Sequence, residues 1–385
     1  MNKKIVLHLI LIIILILSGC SQHNEEEVNG LPTIKIGVLE PLSGSNAAGG
    51  QMELQGIKLA NELYPRVLGK DIELVIIDNM SDKVESANAA VNLINKENVV
   101  AAIGSWGSSF SIAAGPIFKE ANKPIVGASC TNPLVTLNNS YYSRVCFIDS
   151  FQGTVMANYA FNEMHAEKVA IFQDISNDYS VGLSKYFQEA FVKFTGDNDS
   201  IVLNKSYKTG DTNFSKQLED ISQLKVDVIF VPGNYNEGAL IVKQARNMGI
   251  ETPFIATDTW EAPEFLEIGG DAVEGVVIST FFTTEVSITK ESDKFLNAYR
   301  QKYDKEPTSV AALGYDAYLV IVNAIEKSGS IESIEINNFI GETKYFEGAA
   351  GMISLNLNGD AIKSAIIKEV KNGEFKYLTI VEPIE

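Results

Sequence analysis

The chain has 385 residues, 45% hydrophobic and 21% charged, with 49 acidic against 31 basic residues and a formal net charge of −18. That length suits two lobes better than one core, and the composition excludes a disordered chain. The acidic balance excludes nucleic acid as a partner and opposes anionic membrane surfaces, since both bind through clustered cations.

The N-terminus reads as an export signal. Lys3 and Lys4 precede an almost wholly apolar run, Ile5 to Leu17, shorter than the about 20 residues a spanning helix needs. Leu17-Ser18-Gly19-Cys20 resembles the lipobox of bacterial lipoproteins. The resemblance implies a signal peptide over 1–19 and lipidation of Cys20, which would anchor the protein to the membrane. Ser21 to Gly30, rich in glutamate, continues as a solvated tether, so that 20–32 supplies reach and no fold.

From Ile34 onward short apolar runs alternate with longer segments of helical period, the pattern of parallel strands joined by crossover helices. Strands are predicted at Ile34 to Leu39, Ile72 to Ile77, Val99 to Ile103, Pro124 to Val126, Val169 to Phe172, Ile201 to Leu203, Val228 to Val231 and Phe254 to Ala256. Helices are predicted at Gly50 to Leu63, Lys83 to Asn95, Ser108 to Ala121, Gln152 to His165, Val181 to Phe194, Phe214 to Leu224 and Glu237 to Met248. The alternation starts afresh near Asp149. Glu291 to Ile340 is helical and Ile362 to Ile380 strand-like, so the chain crosses between lobes more than once. The expected division is 33–148 with about 281–350 in the first lobe, and 149–280 with about 351–385 in the second.

Several chemistries find no support. The three histidines, His8, His23 and His165, fall in the signal, the tether and near a helix end. A nucleophile elbow, a phosphate loop and clustered Cys/His ligands are all missing from the sequence. No enzyme, metal or cofactor is therefore expected. Cys130 and Cys146 allow at most one disulfide, and sequence leaves open whether they are bridged. Asn356-Leu357-Asn358-Gly359-Asp360 lacks the late glutamate of a calcium loop and reads as a turn between strands.

Parallel sheets place ligands at the carboxyl ends of their strands, and two loops there are informative. Gly104-Ser105-Trp106-Gly107-Ser108-Ser109 runs into a helix, where free N–H groups, the helix dipole and serine hydroxyls suit a carboxylate. A plain N-cap explains the serines equally well. Ser129-Cys130-Thr131-Asn132-Pro133 follows the next strand, and its alternative is an ordinary turn. Being successive, the two loops would form one wall.

Motifs matching in order are Ile34 to Val38 with Pro41-Leu42-Ser43-Gly44, the Asp78 to Asp82 stretch, Ile103-Gly104 with Ser108-Ser109, Thr131-Asn132-Pro133, Arg144 to Phe147 with Gln152-Gly153, Gly210 to Phe214, and Gln244-Ala245-Arg246. On these, from about Thr33 to the C-terminal region, the chain resembles the leucine/isoleucine/valine-binding branch of the type I periplasmic binding proteins. The resemblance implies an α/β fold of two Rossmann-like lobes joined by a multi-strand hinge. It also implies capture of an amino-acid-like ligand for an ABC permease, by a monomer outside the cytoplasmic membrane.

The family's carboxylate-binding serine and threonine fall on Ser108 and Thr131, with Trp106, Gly107 and Cys130 beside them in the same loops. Its ammonium partners fall on the Ser129 carbonyl, the Thr131 hydroxyl and Asp258. Tyr179 matches a lid tyrosine, and Asn234 and Tyr235 stand where relatives often carry adjacent tyrosines. Two alternatives accompany this reading: a sensory ectodomain of the same fold, and a binder of amides, urea or other small polar solutes.

Overall fold

Apolar strands that alternate with one-faced helices bury both faces of a sheet, and this chain does so twice. The computed structural model describes residues 33–383; the expected signal, Cys20 and the tether lie outside the described residues. The first lobe is built from β1 (Ile34–Glu40), α1 (Ala47–Leu63), β2 (Arg66–Val67), β3 (Lys70–Asp78), α2 (Lys83–Asn95), β4 (Ala101–Gly104), α3 (Ser108–Glu120), β5 (Ile125–Gly127) and β6 (Tyr142–Arg144). Its sheet has the order β2-β3-β1-β4-β5-β6 and is parallel except for the β2–β3 hairpin.

The second lobe starts at α4 (Asp149–Asn158) and continues through β7 (Val169–Asp174), α5 (Asp178–Thr195), β8 (Ile201–Tyr207), α6 (Ser215–Ser222), β9 (Val228–Phe230), α7 (Tyr235–Asn247), β10 (Phe254–Ala256), α8 (Pro263–Gly269) and β11 (Val277–Thr280). The chain then gives α9 (Lys290–Tyr303), α10 (Ser309–Ser328) and α11 (Ser333–Gly341). Helix α10 packs on α1 of the first lobe. A Cβ at Gly56 would sit 1.8 Å from the Ala311 carbonyl oxygen, so only glycine permits this approach. Although α10 has the length and hydropathy of a membrane span, 83% of its apolar window is buried in the protein, which makes it a core helix.

The segment expected to rejoin the second lobe from about 351 does so later. β12 (Phe346–Gly348), β13 (Gly351–Leu355) and β14 (Ala361–Ile362) form a separate three-stranded sheet. The turn between β13 and β14 carries Asp360, which bonds Arg144 and Thr136 of the first lobe. Only β15 (Ala365–Lys371) and β16 (Glu374–Val381) extend the second sheet, giving the order β16-β15-β11-β10-β9-β7-β8. The physical reason is Arg144, whose buried guanidinium needs acceptors and holds Asp360 of the β13–β14 turn at 2.8 Å.

Candidate ligand-binding cleft

Both sheets turn the carboxyl ends of their parallel strands toward the gap between the lobes. A cavity of about 320 Å³ lies there, walled by Asn46, Trp106, Gly107, Ser108 and Ser129 from the first lobe and by Asn177, Tyr179, Asn234 and Thr259 from the second. The lobes are closed over it. Asn234 Nδ2 donates to Asn46 Oδ1 at 3.0 Å, Asn236 Nδ2 to the Ser45 carbonyl at 2.8 Å, and Asn132 Nδ2 to the Asp178 carbonyl at 2.8 Å. Ser109 Oγ and Asp178 exchange two further bonds.

In the first lobe the loop after β4 delivers Trp106, Gly107 and Ser108 at the start of α3. Ser108 Oγ accepts the Asn132 N–H at 3.0 Å, which joins the two loops and leaves its own proton free to donate. The first N–H groups of α3 face the same space, a pole suited to a carboxylate. Arg144 braces the second loop from behind: Nη1 donates to the Cys130 and Asn132 carbonyls at 2.7 and 2.9 Å, and Nη2 to Thr136 Oγ1 at 2.7 Å.

Behind the Tyr179 wall lies a buried acidic cluster. Asp258, just after β10, accepts from Gln152 Nε2 at 2.6 Å and from the Tyr179 hydroxyl at 2.9 Å. Asp149, in the first turn of α4, is buried with neither carboxylate oxygen hydrogen bonded, and the Thr131 hydroxyl and Gln152 Oε1 are likewise buried without partners. Burial is the main force raising both acids, Asp149 to about 8 and Asp258 to about 6, and each is raised further by a neighbouring acid, Asp149 by Asp258 and Asp258 by Glu261. Unsatisfied acceptors of this kind are costly unless a donor arrives.

Of the residues singled out from sequence, Trp106, Gly107, Ser108, Ser129, Tyr179 and Asn234 line the cavity. Thr131 and Asp258 stand outside that lining, as does Asp149: all three are buried, with Asp258 held against the lid tyrosine. Tyr235 is buried with its ring edge-on to Trp106, centroids 6.4 Å apart, so it supports the wall through the indole. Cys130 is a correction. The chain bends at Ala128 and Ser129 after β5, and while Ser129 faces the cavity the apolar thiol turns into the core beside Tyr142, their S···O distance 3.9 Å. Cys130 and Cys146 are both free and buried.

Sequence reasoning missed Asn46, which lines the cavity, and Asp149, buried behind it. Asp149 had a legible signal, an acid opening the helix directly after the lobe crossing. Gly49 explains how Trp106 fits, because a Cβ there would lie 2.4 Å from the indole. Gly49→Ala improves helix propensity by about 1 kcal/mol, but the clash costs about 1–3 kcal/mol and prevails. The expected result is a lower melting temperature together with a shifted Trp106 emission; higher stability with unchanged emission would contradict the packing described.

The family model described as "Periplasmic binding protein" matches residues 33–374. The Leu/Ile/Val-binding protein BraC3 of Rhizobium johnstonii is 28% identical over 333 residues, covering 85% of this chain and 88% of that one. Among solved structures, the leucine binding protein LivK of Thermotoga maritima is 42% identical with a TM-score of 0.88, covering 91% of this chain and 99% of that one. The branched-chain amino acid transporter substrate binding protein LivJ of Streptococcus pneumoniae, in complex with isoleucine, is 34% identical with a TM-score of 0.86, covering 91% and 100%. With the family model spanning nearly all the described residues and both lobes superposing on these proteins, the chain belongs to the type I periplasmic binding proteins, on their leucine/isoleucine/valine-binding branch.

Proposed function

We propose that the protein captures a branched-chain or closely related amino acid between its lobes and delivers it to an ABC permease. In this reading it works as a monomer outside the cytoplasmic membrane, exported by residues 1–19 and anchored through a lipid on Cys20. The carboxylate meets Ser108 and the N–H groups opening α3. The ammonium is held by the Ser129 carbonyl, Thr131, Asp258 and Asp149 under the Tyr179 lid, while the side chain packs along Trp106.

The observation that carries this reading is the cluster of buried, partnerless acceptors at one pole, on Thr131, Asp149 and Gln152. Three N–H donors on an ammonium suit such a set, and a neutral apolar solute does not. The test is calorimetry with L-leucine, L-isoleucine and L-valine. Acids held up to about 8 and about 6 in the empty site lose protons when a cation settles beside them. Binding at neutral pH is therefore expected to release protons, seen as buffer-dependent heat, and affinity should rise from about pH 6 to about pH 8. Silence with all three and with other amino acids, or proton uptake on binding, would end the reading.

A further inference from the structure

A second pair of acids lies behind the first-lobe wall. Glu40 ends β1 and Glu53 sits on the inner face of α1, and both are 0% exposed. Each grips one ligand loop: Glu40 Oε2 accepts the Trp106 N–H at 2.7 Å, and Glu53 Oε2 accepts the Ser129 hydroxyl. The remaining oxygens, Glu40 Oε1 and Glu53 Oε1, are buried and have no donor, and the charge of Glu53 acts directly on Glu40. Two neighbouring carboxylates buried with no donor on their inner oxygens do not both stay ionised, so the pair retains one proton.

We propose that this one-proton acid pair is the positioning clamp of the ligand wall, with Glu40 setting the Trp106 loop and Glu53 setting Ser129. Loss of the proton at alkaline pH then sets two like charges side by side, parts the loops and weakens ligand binding. Burial first, then the neighbouring acid, pushes Glu40 well above the usual carboxyl range, and burial pushes Glu53 up to about 7. The other titratable groups acting on the pair are the Cys130 thiol from the second loop and the Tyr142 phenol from β6. Arg144 acts on Cys130 from beyond. From α10, Gly314 packs against the Glu53 side chain and brings no charge. Neither glutamate lines the cavity, so they act through Trp106 and Ser129.

The test has two arms, of which only the binding arm rests on the amino-acid reading above. In the first, infrared spectra of the ligand-free protein at about pH 9, where the acids of the ligand pole are largely ionised, should show the carbonyl band of a buried carboxylic acid. The band should vanish in the Glu40→Gln/Glu53→Gln variant, and its absence from the wild-type protein overturns the proposal.

In the second, L-isoleucine affinity is followed across neutral to alkaline pH. Glu53→Gln can still accept from Ser129 and offers Glu40 an amide donor in place of the proton. It should hold wild-type affinity within about threefold near neutrality and flatten the alkaline decline, whereas Glu53→Ala should lose about tenfold or more throughout. Superimposable alkaline limbs in wild type and Glu53→Gln overturn the clamp. Should wild type bind no isoleucine at any pH, the amino-acid reading fails while the infrared band still decides the proton; should Glu53→Gln not fold, the wild-type spectrum decides alone.

Discussion

Asp258→Asn should weaken binding of L-isoleucine by about 100-fold or more, with little change in fold. The amide oxygen still accepts from Gln152 and from the Tyr179 hydroxyl, the two partners of Asp258 in the closed protein. What disappears is the charge. Truncating one side of a buried charge-assisted contact costs about 2–5 kcal/mol, and every 1.4 kcal/mol is about tenfold in affinity. Asp149→Asn should act in the same direction, and each substitution should diminish the proton release described above. Calorimetry reads affinity and proton count together. Affinity preserved in Asp258→Asn would remove this acid from the ammonium pole.

Arg144→Met should lower stability by about 3–5 kcal/mol, the usual consequence of stripping one member from a buried ion pair. The guanidinium is fully buried and serves four acceptors: Asp360, the Cys130 and Asn132 carbonyls and Thr136 Oγ1. Methionine fills the volume and abandons all four, leaving Asp360 charged with the Thr136 hydroxyl as its remaining side-chain donor. Arg144→Lys should recover only part, since one ammonium cannot reach acceptors spread around a planar fork. Chemical denaturation checks the order wild type, Lys, Met; a Met variant as stable as wild type would show that Arg144 contributes little net stability.

Most of the framework could be read from periodicity because the first lobe and the body of the second are built locally. Helix α2 matches its predicted span at both ends, and β1 is off by a single residue. β6 escaped notice for a different reason. Tyr142-Ser143-Arg144 has no apolar signature, and its burial comes from Arg144 finding Asp360 more than two hundred residues later. The same holds at the cleft. Ser108, Ser129 and Tyr179 sit where strand ends and helix starts place them, so loop position revealed them. Glu40 and Glu53 look like ordinary charges in sequence, and only the meeting of β1 with α1 turns them into a protonated pair. Cys130 was misjudged because the bend after β5 turns neighbouring side chains of one loop to different sides, and only the fold shows Ser129 at the cavity and the thiol in the core.

The bonds that clasp the lobes, such as Asn46 to Asn234 and Ser109 to Asp178, contain no ligand atom. The clasp is therefore made by protein groups alone, and cargo adds to closure through the cleft instead of through the clasp. Closure without cargo is discouraged by the pair of acids that awaits the ammonium: burial of Asp149 and Asp258 with no counter-charge favours their protonated forms, so protons are drawn from solution. Cargo relieves that burden, so the frequency of empty closure should follow the acidity of the medium as well as the supply of solute.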